Sequence, residues 1–219
     1  MTAPQYSNLS NELEAMTKHG KEVLPPEVIE AFEKSIEELR NSGIAKGLAV
    51  GTTAPDFSLA NQTGDIITLS EEMAKGPVIL TFYRGEWCPF CNLELRAYQR
   101  IIDDIRQAGA QLLAISPLTP DHSLTVQEKN ELSFHVLSDL RNKIADNYQL
   151  TFKLPDYLHE IYRSLGYGLD KYNGDDSWEL PVPATYLIDS QGIIRFASVD
   201  PDYRTRMDPA ELLNLLRSL

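Results

Sequence analysis

The chain has 219 residues, more than the ~100–150 of a common single domain and fewer than two comfortable ones, so one core with appendages is expected. Hydrophobic residues make up 42% and charged residues 24%, which is ordinary globular usage and excludes a largely disordered or fibrous chain. A formal charge of −12 argues against nucleic acid or an anionic membrane surface as the main partner, because phosphate binding needs clustered Lys and Arg.

The first residues, Met1-Thr2-Ala3-Pro4-Gln5-Tyr6, have neither the basic start nor the apolar run of a secretion signal, and no apolar stretch approaches the ~20 residues of a membrane helix. A soluble, cytoplasmic protein is expected. Residues 7–43 read as two helices, with Leu9, Leu13 and Met16 on one face before Gly20, and Val28, Ile29, Phe32, Ile36 and Leu39 on another after Pro25-Pro26. Small residues and Gly from Ile44 to Thr53 mark a joint, so residues 1–47 are expected as a helical arm and 48–219 as the main domain. The arm's apolar faces need burial, either on the domain or on a second subunit in a homodimer.

Beyond the joint, Phe57 to Leu59 and Ile66 to Leu69 flank a turn and predict a hairpin. Val78 to Tyr83 predicts a buried strand, followed after a short loop by a helix from Pro89 to about Gln107 with Leu95, Tyr98, Ile102 and Ile105 inward. A strand at Gln111–Ile115, a polar helix at Asp121–Leu132, a strand at Phe134–Leu137 and a helix at Arg141–Tyr148 continue an alternating pattern. Residues 152–176 read as an irregular insertion with one helix, Tyr157–Leu165. Two strands, Thr185–Ile188 and Ile193–Ala197, joined by Asp189-Ser190-Gln191-Gly192, predict a hairpin, and Asp208-Pro209 opens the last helix.

Only two cysteines occur, Cys88 and Cys91, three positions apart in Trp87-Cys88-Pro89-Phe90-Cys91. This is too few for a disulfide framework or a closed zinc site, and His19, His122, His135 and His159 show no ligand spacing, so no metal is assigned. At a helix start, unpaired backbone N–H groups and the positive dipole end favour a thiolate. Pro89 suits the first helical position, and the spacing returns Cys91 to the face of Cys88. Cys88 is therefore expected to be the low-pKa nucleophile, Cys91 the resolving thiol, and Trp87 with Phe90 the walls of the site. Two small apolar residues merely packing under a strand is the bland alternative. Arg84 either holds the thiolate's charge or is a solvated loop cation, and Glu86 is a surface carboxylate unless it pairs with Arg84. Pro181-Val182-Pro183-Ala184 precedes an apolar strand, where a cis Val182–Pro183 bond would offer the Val182 backbone to an incoming substrate chain, and an ordinary loop proline is the alternative. The run Asp200, Asp202, Arg204, Arg206 and Asp208 around Tyr203 reads as a solvated loop or as the rim of a substrate site.

Ala54-Pro55-Asp56-Phe57, the strand, loop and helix around Trp87-Cys88-Pro89-Phe90-Cys91, and Pro183 before Thr185-Tyr186-Leu187-Ile188-Asp189 together resemble the peroxiredoxin (alkyl hydroperoxide reductase/thiol-specific antioxidant) branch of the thioredoxin-fold superfamily. The resemblance spans roughly residues 48–219. It implies an α/β, thioredoxin-like fold with a central mixed sheet flanked by helices, to which the arm is an N-terminal helical extension. It also implies a thiol peroxidase without a cofactor. Cys88 attacks the O–O bond of hydrogen peroxide or an organic hydroperoxide and becomes a sulfenic acid, Cys91 condenses with it, and a thioredoxin- or glutaredoxin-type reductant reopens the disulfide. The family usually carries Thr or Ser three residues before the attacking Cys, Pro seven before it, and an Arg ahead of the late strand. This chain has Gly85, Thr81 and Pro183-Ala184 in those places, which leaves Arg84 as the candidate cation. Trp-Cys-x-x-Cys and Pro183 also suit a thioredoxin- or glutaredoxin-like disulfide oxidoreductase, and a redox-switched binding module is a third reading.

Overall fold

The computed structural model describes residues 9–219, and it begins with two helices, α1 (Leu9–Val23) and α2 (Pro26–Ser42). The expected helix start at residue 7 and the stretch Met1–Tyr6 lie outside the described residues. A hairpin of β1 (Ser58–Ala60) and β2 (Ile66–Thr68) follows, then a short helix α3 (Leu69–Met73). Strand β3 (Val78–Phe82) leads to α4 (Pro89–Arg100), α5 (Ile102–Gln107), β4 (Gln111–Ser116), α6 (Pro120–Lys129) and β5 (His135–Ser138). Next come α7 (Lys143–Asn147), β6 (Thr151–Lys153), α8 (Asp156–Ser164), α9 (Leu169–Asn173) and β7 (Glu179–Pro181). The chain closes with β8 (Ala184–Ile188), β9 (Ile194–Val199) and α10 (Pro209–Leu216).

Five strands form the central sheet in the order β5-β4-β3-β8-β9, parallel from β3 to β5 and antiparallel across β8 and β9. All five residues of β3 are buried, as expected for a middle strand covered on both faces. The period of two sorts its side chains: Ile79 joins one core with Leu112, Ala114, Leu187 and both cysteines, while Val78, Leu80 and Phe82 join the other with Leu113, Ile115 and Tyr186. The arm belongs to the cysteine-bearing core, for Leu9 and Leu13 of α1 are buried there and α1 lies along α4.

Three expectations need correction. The helix after the cysteines is not continuous to Gln107 but breaks at Ile101 (φ −113°, ψ 10°), where the turn buries both Ile101 and Ile102, which an unbroken helix would set on different faces. The insertion at 152–176 holds a second helix, α9, and is bracketed by the two-stranded β6-β7 sheet; three-residue strands carry too little periodicity to be read from sequence. The helix expected from Arg141 starts instead as a 3-10 turn over Leu140–Asn142, with Arg141 and Asn142 at positive φ.

Candidate active site

Strand β3 ends at Phe82, and Tyr83 to Trp87 carry the chain over the sheet edge to Cys88, which is the N-cap of α4 with Pro89 at its first position. The Cys91 N–H donates to Cys88 Sγ (3.4 Å), so the helix start points a free backbone donor at that sulfur. Asn92 Nδ2 holds the turn by donating to the carbonyls of Glu86 (2.7 Å) and Cys88 (3.1 Å). Both cysteines are free and buried, and their sulfurs lie within hydrogen-bond reach at 2.7 Å.

Gly85 explains the missing hydroxyl. Its φ of 148° is one that L side chains rarely adopt, and a Cβ there would stand 2.5 Å from Trp87 Nε1. The place where relatives of this fold were expected to carry Thr or Ser is occupied by the edge of the Trp87 indole.

Arg84 is 3% exposed and lies among rings, with its guanidinium carbon 4.2 Å from the Tyr203 ring centre and 4.9 Å from that of Trp87. Its Nη2 donates to the Tyr162 hydroxyl. Arg84 Nε and Trp87 Nε1 are buried without a hydrogen-bond partner. Glu86 does not pair with Arg84; its Oε1 faces His122 Nδ1 at 3.2 Å.

The second cation of the site is Arg206, from the run that reads in the sequence as a solvated loop or as the rim of a substrate site. Arg206 has a side chain 2% exposed and is bound by Glu94 Oε2 (2.7 Å) and by the carbonyls of Tyr203 and Thr205, and its Nη2 donates to Cys91 Sγ (3.5 Å). Glu94, one turn beyond Cys91 on α4, was missed as well. Burial drives its carboxyl up to about 7, against the pull of Arg206.

Burial pushes both thiols up, but the two then diverge. On Cys91 the hydrogen bond from Cys88 and the charges of Arg206 and Arg84 prevail and bring it down to about 5. Cys88, desolvated and beside that charge, stays well above an ordinary thiol. The expected low-pKa position at Cys88 is therefore corrected for the resting pair. The thiol drawn down is the one nearest Arg206, and Cys88 is the one pushed up.

Access favours the other sulfur. A cavity of about 440 Å³ is walled by Cys88, Trp87, Phe90, Tyr167, Arg84 and residues of α1 and α2, whereas Cys91 does not line it. Val182 is no part of this wall. Among the described residues no peptide bond is cis, so Val182–Pro183 is trans, and Val182 is buried in the opposite core. Its N–H donates to Leu150 O (2.8 Å), prolonging the β6-β7 pairing and leaving no free donor there for a substrate chain. Pro183 lines a small separate cavity with Arg84, Tyr162 and Tyr203. Among the described residues no three His, Cys, Asp or Glu side chains cluster as a metal site, and no helix is long and apolar enough to cross a membrane.

The AhpC/TSA family model matches residues 50–197. The chain belongs to that family. AhpC/TSA relatives include a chloroplastic peroxiredoxin Q of Sedum lineare, 26% identical over 193 residues that cover 86% of this chain and 89% of that one. A putative peroxiredoxin bcp of Coxiella burnetii is 26% identical over 169 residues, covering 77% of this chain and 99% of its own. The crystal structure of peroxidoxin BcpB from Mycobacterium tuberculosis superposes with a TM-score of 0.62 at 20% identity, over 78% of this chain and 98% of that one. The five-stranded mixed sheet flanked by helices is thus the thioredoxin-like fold of the peroxiredoxins, and the protein is a thiol-dependent peroxidase whose paired cysteines fit a disulfide cycle.

Proposed function

We propose that Cys88 is the thiol that meets the peroxide, that Cys91 is both the holder of its proton and the resolving thiol, and that Arg84 with Trp87 receives the peroxide oxygens. The observation that carries this reading is the pair of sulfurs 2.7 Å apart, one on the cavity wall and the other against Arg206. As the peroxide approaches, the Cys88 proton passes to Cys91, and Cys88 attacks the terminal oxygen. An S–O bond forms, the O–O bond breaks, and the leaving oxygen takes the proton from Cys91. The Cys91 thiolate then attacks the Cys88 sulfenic acid, closing the disulfide and releasing hydroxide, which takes a solvent proton to leave as water.

A dithiol of the thioredoxin or glutaredoxin type supplies the two electrons by thiol–disulfide exchange, becoming a disulfide itself; one of its protons restores the Cys88 thiol and the other returns to solvent, leaving Cys91 as the thiolate. A reducing compartment such as the cytoplasm suits that step. Both thiols, both arginines and Glu94 come from one chain, so a homodimer is not required to complete the site.

Cys91's charge and its contact with Arg206 favour a second reading, in which Cys91 itself attacks. Dimedone trapping after one equivalent of peroxide, read by mass spectrometry in Cys91→Ser and Cys88→Ser proteins, separates the two. Adduct on Cys88 in the first variant and little in the second is expected; adduct mainly on Cys91 reverses the roles. Peroxide consumption against insulin-disulfide reduction tests the oxidoreductase alternative.

A further inference from the structure

A thiol that reopens the Cys88–Cys91 disulfide must bring its own sulfur to bonding distance, about 2 Å, of one of theirs. Cys88 is 1% exposed and Cys91 0%. The cavity that reaches Cys88, about 440 Å³, has room for a peroxide or a small dithiol. A protein dithiol differs, because its sulfurs sit on a broad surface that is stopped by whatever lies over the cavity. The disulfide itself spans the first turn of α4, where the sulfurs already stand 2.7 Å apart, so α4 has no need to unwind. What stands over that turn is α1.

One stripe of α1 both anchors the helix and walls the cavity. Leu9 and Leu13 are buried in the cysteine-bearing core, Met16 packs against it, and Met16, Thr17 and Gly20 line the cavity over Cys88. The seat is narrow. α1 buries two of its 15 residues, whereas α4 buries seven of 12. Along another flank a groove of about 620 Å³ runs between Glu14 and Lys18 of α1 and Asp202 and Arg206 of the late loop. The ion pair of Glu12 with Arg100 joins side chains 31% and 37% exposed, a setting in which such pairs hold weakly. Helix α2 is fixed more firmly: Ile36 is buried, Phe32 meets Tyr162 edge-on at 6.0 Å, and Glu38 accepts from the Tyr157 hydroxyl (2.6 Å). Between the two helices the chain turns at Val23-Leu24-Pro25, with Val23 59% exposed. An element with few buried contacts opens at lower cost than the core beneath it.

We propose that α1 is a hinged cover that decides which reductant reaches the disulfide. Seated, it leaves the cavity open to peroxide and small dithiols; turned aside about residues 23–25, it bares Cys88 to the sulfur of a protein dithiol. The inference rests on the peroxidase cycle above and concerns its reductive half. The partner's thiolate attacks Cys88 Sγ, the Cys88–Cys91 bond breaks, and Cys91 leaves as the thiolate beside Arg206. The partner's second thiol then attacks its own sulfur in the mixed disulfide, its proton passes to Cys88 as that sulfur leaves, and the partner departs as a disulfide. α1 lies outside residues 50–197, the stretch matched by the family model, so this cover is an addition to the common fold.

Reduction of the full chain after its disulfide has been closed with diamide tests this without passing through peroxide. Reduced bacterial thioredoxin and dithiothreitol are compared in rapid mixing, with acid quench, alkylation and intact mass as the readout. Glu12→Arg, which sets like charges against Arg100, and Glu12→Arg with Leu13→Ala loosen α1 at residues that do not line the cavity. A gated rate follows the open population, so the double variant should be reduced by thioredoxin at least about tenfold faster, in step with faster amide exchange over residues 9–23. The dithiothreitol rate should stay within about twofold. Glu12→Arg alone, an exposed change that leaves the core intact, should move thioredoxin reduction in the same direction by less. An unchanged thioredoxin rate in both variants, or equal acceleration by both dithiols, overturns the cover. Thioredoxin that leaves every form oxidised while dithiothreitol reduces them overturns the protein reductant and the cover together. A wild type that both dithiols reduce but that consumes no peroxide overturns instead the cycle on which the proposal rests.

Discussion

Two arginines reach the thiol pair from different directions, and their variants should fail differently. Arg84, among Trp87, Tyr162 and Tyr203, is placed to meet charge building on the peroxide, and losing one such preorganised donor commonly costs ~10²–10³ in rate. Arg84→Met should slow peroxide reduction by that order while a chemical oxidant still closes the Cys88–Cys91 bond; wild-type peroxide turnover would show that Arg84 is only a packed cation. Arg206 acts on the sulfur's charge, so the ultraviolet thiolate absorbance of the wild-type pair should rise as pH climbs through about 5, where Cys91 loses its proton. In Arg206→Met that rise should move toward the ordinary thiol value of ~8.5. Glu94 gives a stability signature of the opposite sign. Its carboxyl is held up to about 7 in the folded chain from a usual value of 4.5, so its contribution is fully present below 4.5 and is lost as pH rises to about 7. The melting temperature of Glu94→Gln relative to wild type should therefore increase across that interval; a flat difference would mean that Glu94 is ionised throughout. Cys88, Cys91, Arg84 and Trp87 were legible because they are neighbours along the chain. Arg206 and Glu94 were not, since they stand 112 positions apart and meet only where an irregular loop folds back on α4.

At the scale of elements, the site depends on how β3 hands the chain to α4. The alternation along Val78–Phe82 and the Cys88-Pro89 start were readable as a buried strand and a capped helix, because periodicity and capping are local signals. The loop between them was not, because it is set by contacts with no periodic signal: Asn92 takes the Glu86 carbonyl, and the indole edge of Trp87 lies where a Gly85 side chain would be. Gly85→Ala should destabilise the fold by about 1–3 kcal/mol through backbone strain and should displace Trp87, visible as a shifted tryptophan emission. Unchanged melting and emission would show that the loop yields. The Val182–Pro183 bond illustrates the reverse limit. A proline before a strand signals a constraint, but whether it turns its backbone toward the site depended on Leu150, which takes the Val182 N–H.

Over the whole molecule, the two-helix arm was legible as amphipathic helices, but its seat was not, because an apolar stripe says that something must cover it and not what. It packs on its own chain, with Leu13 buried against the cysteine-bearing core, Arg100 meeting Glu12 at 3.1 Å and Arg204 meeting Glu33 at 2.6 Å. Leu13→Ala should lower stability by about 2–5 kcal/mol, as for other buried leucines, and should expose residues 9–42 to protease. Rapid removal of those residues from the wild type without loss of thermal stability would contradict the packing.

The short span between the two sulfurs also decides how the protein ages under oxidant. A sulfenic acid is lost irreversibly when a second peroxide carries it to the sulfinic state before a thiol intervenes, so survival is a race between an encounter from solution and a neighbour already in place. Held 2.7 Å away, with its proton drawn off at about 5, Cys91 competes as an intramolecular nucleophile, for which effective concentrations reach ~10⁵ M and above. With reductant supplied, repeated peroxide pulses should leave the Cys88 peptide free of the two-oxygen mass increase, whereas Cys91→Ser should accumulate it within a few turnovers. Early accumulation in the wild type would mean that the sulfurs separate between oxidation and closure.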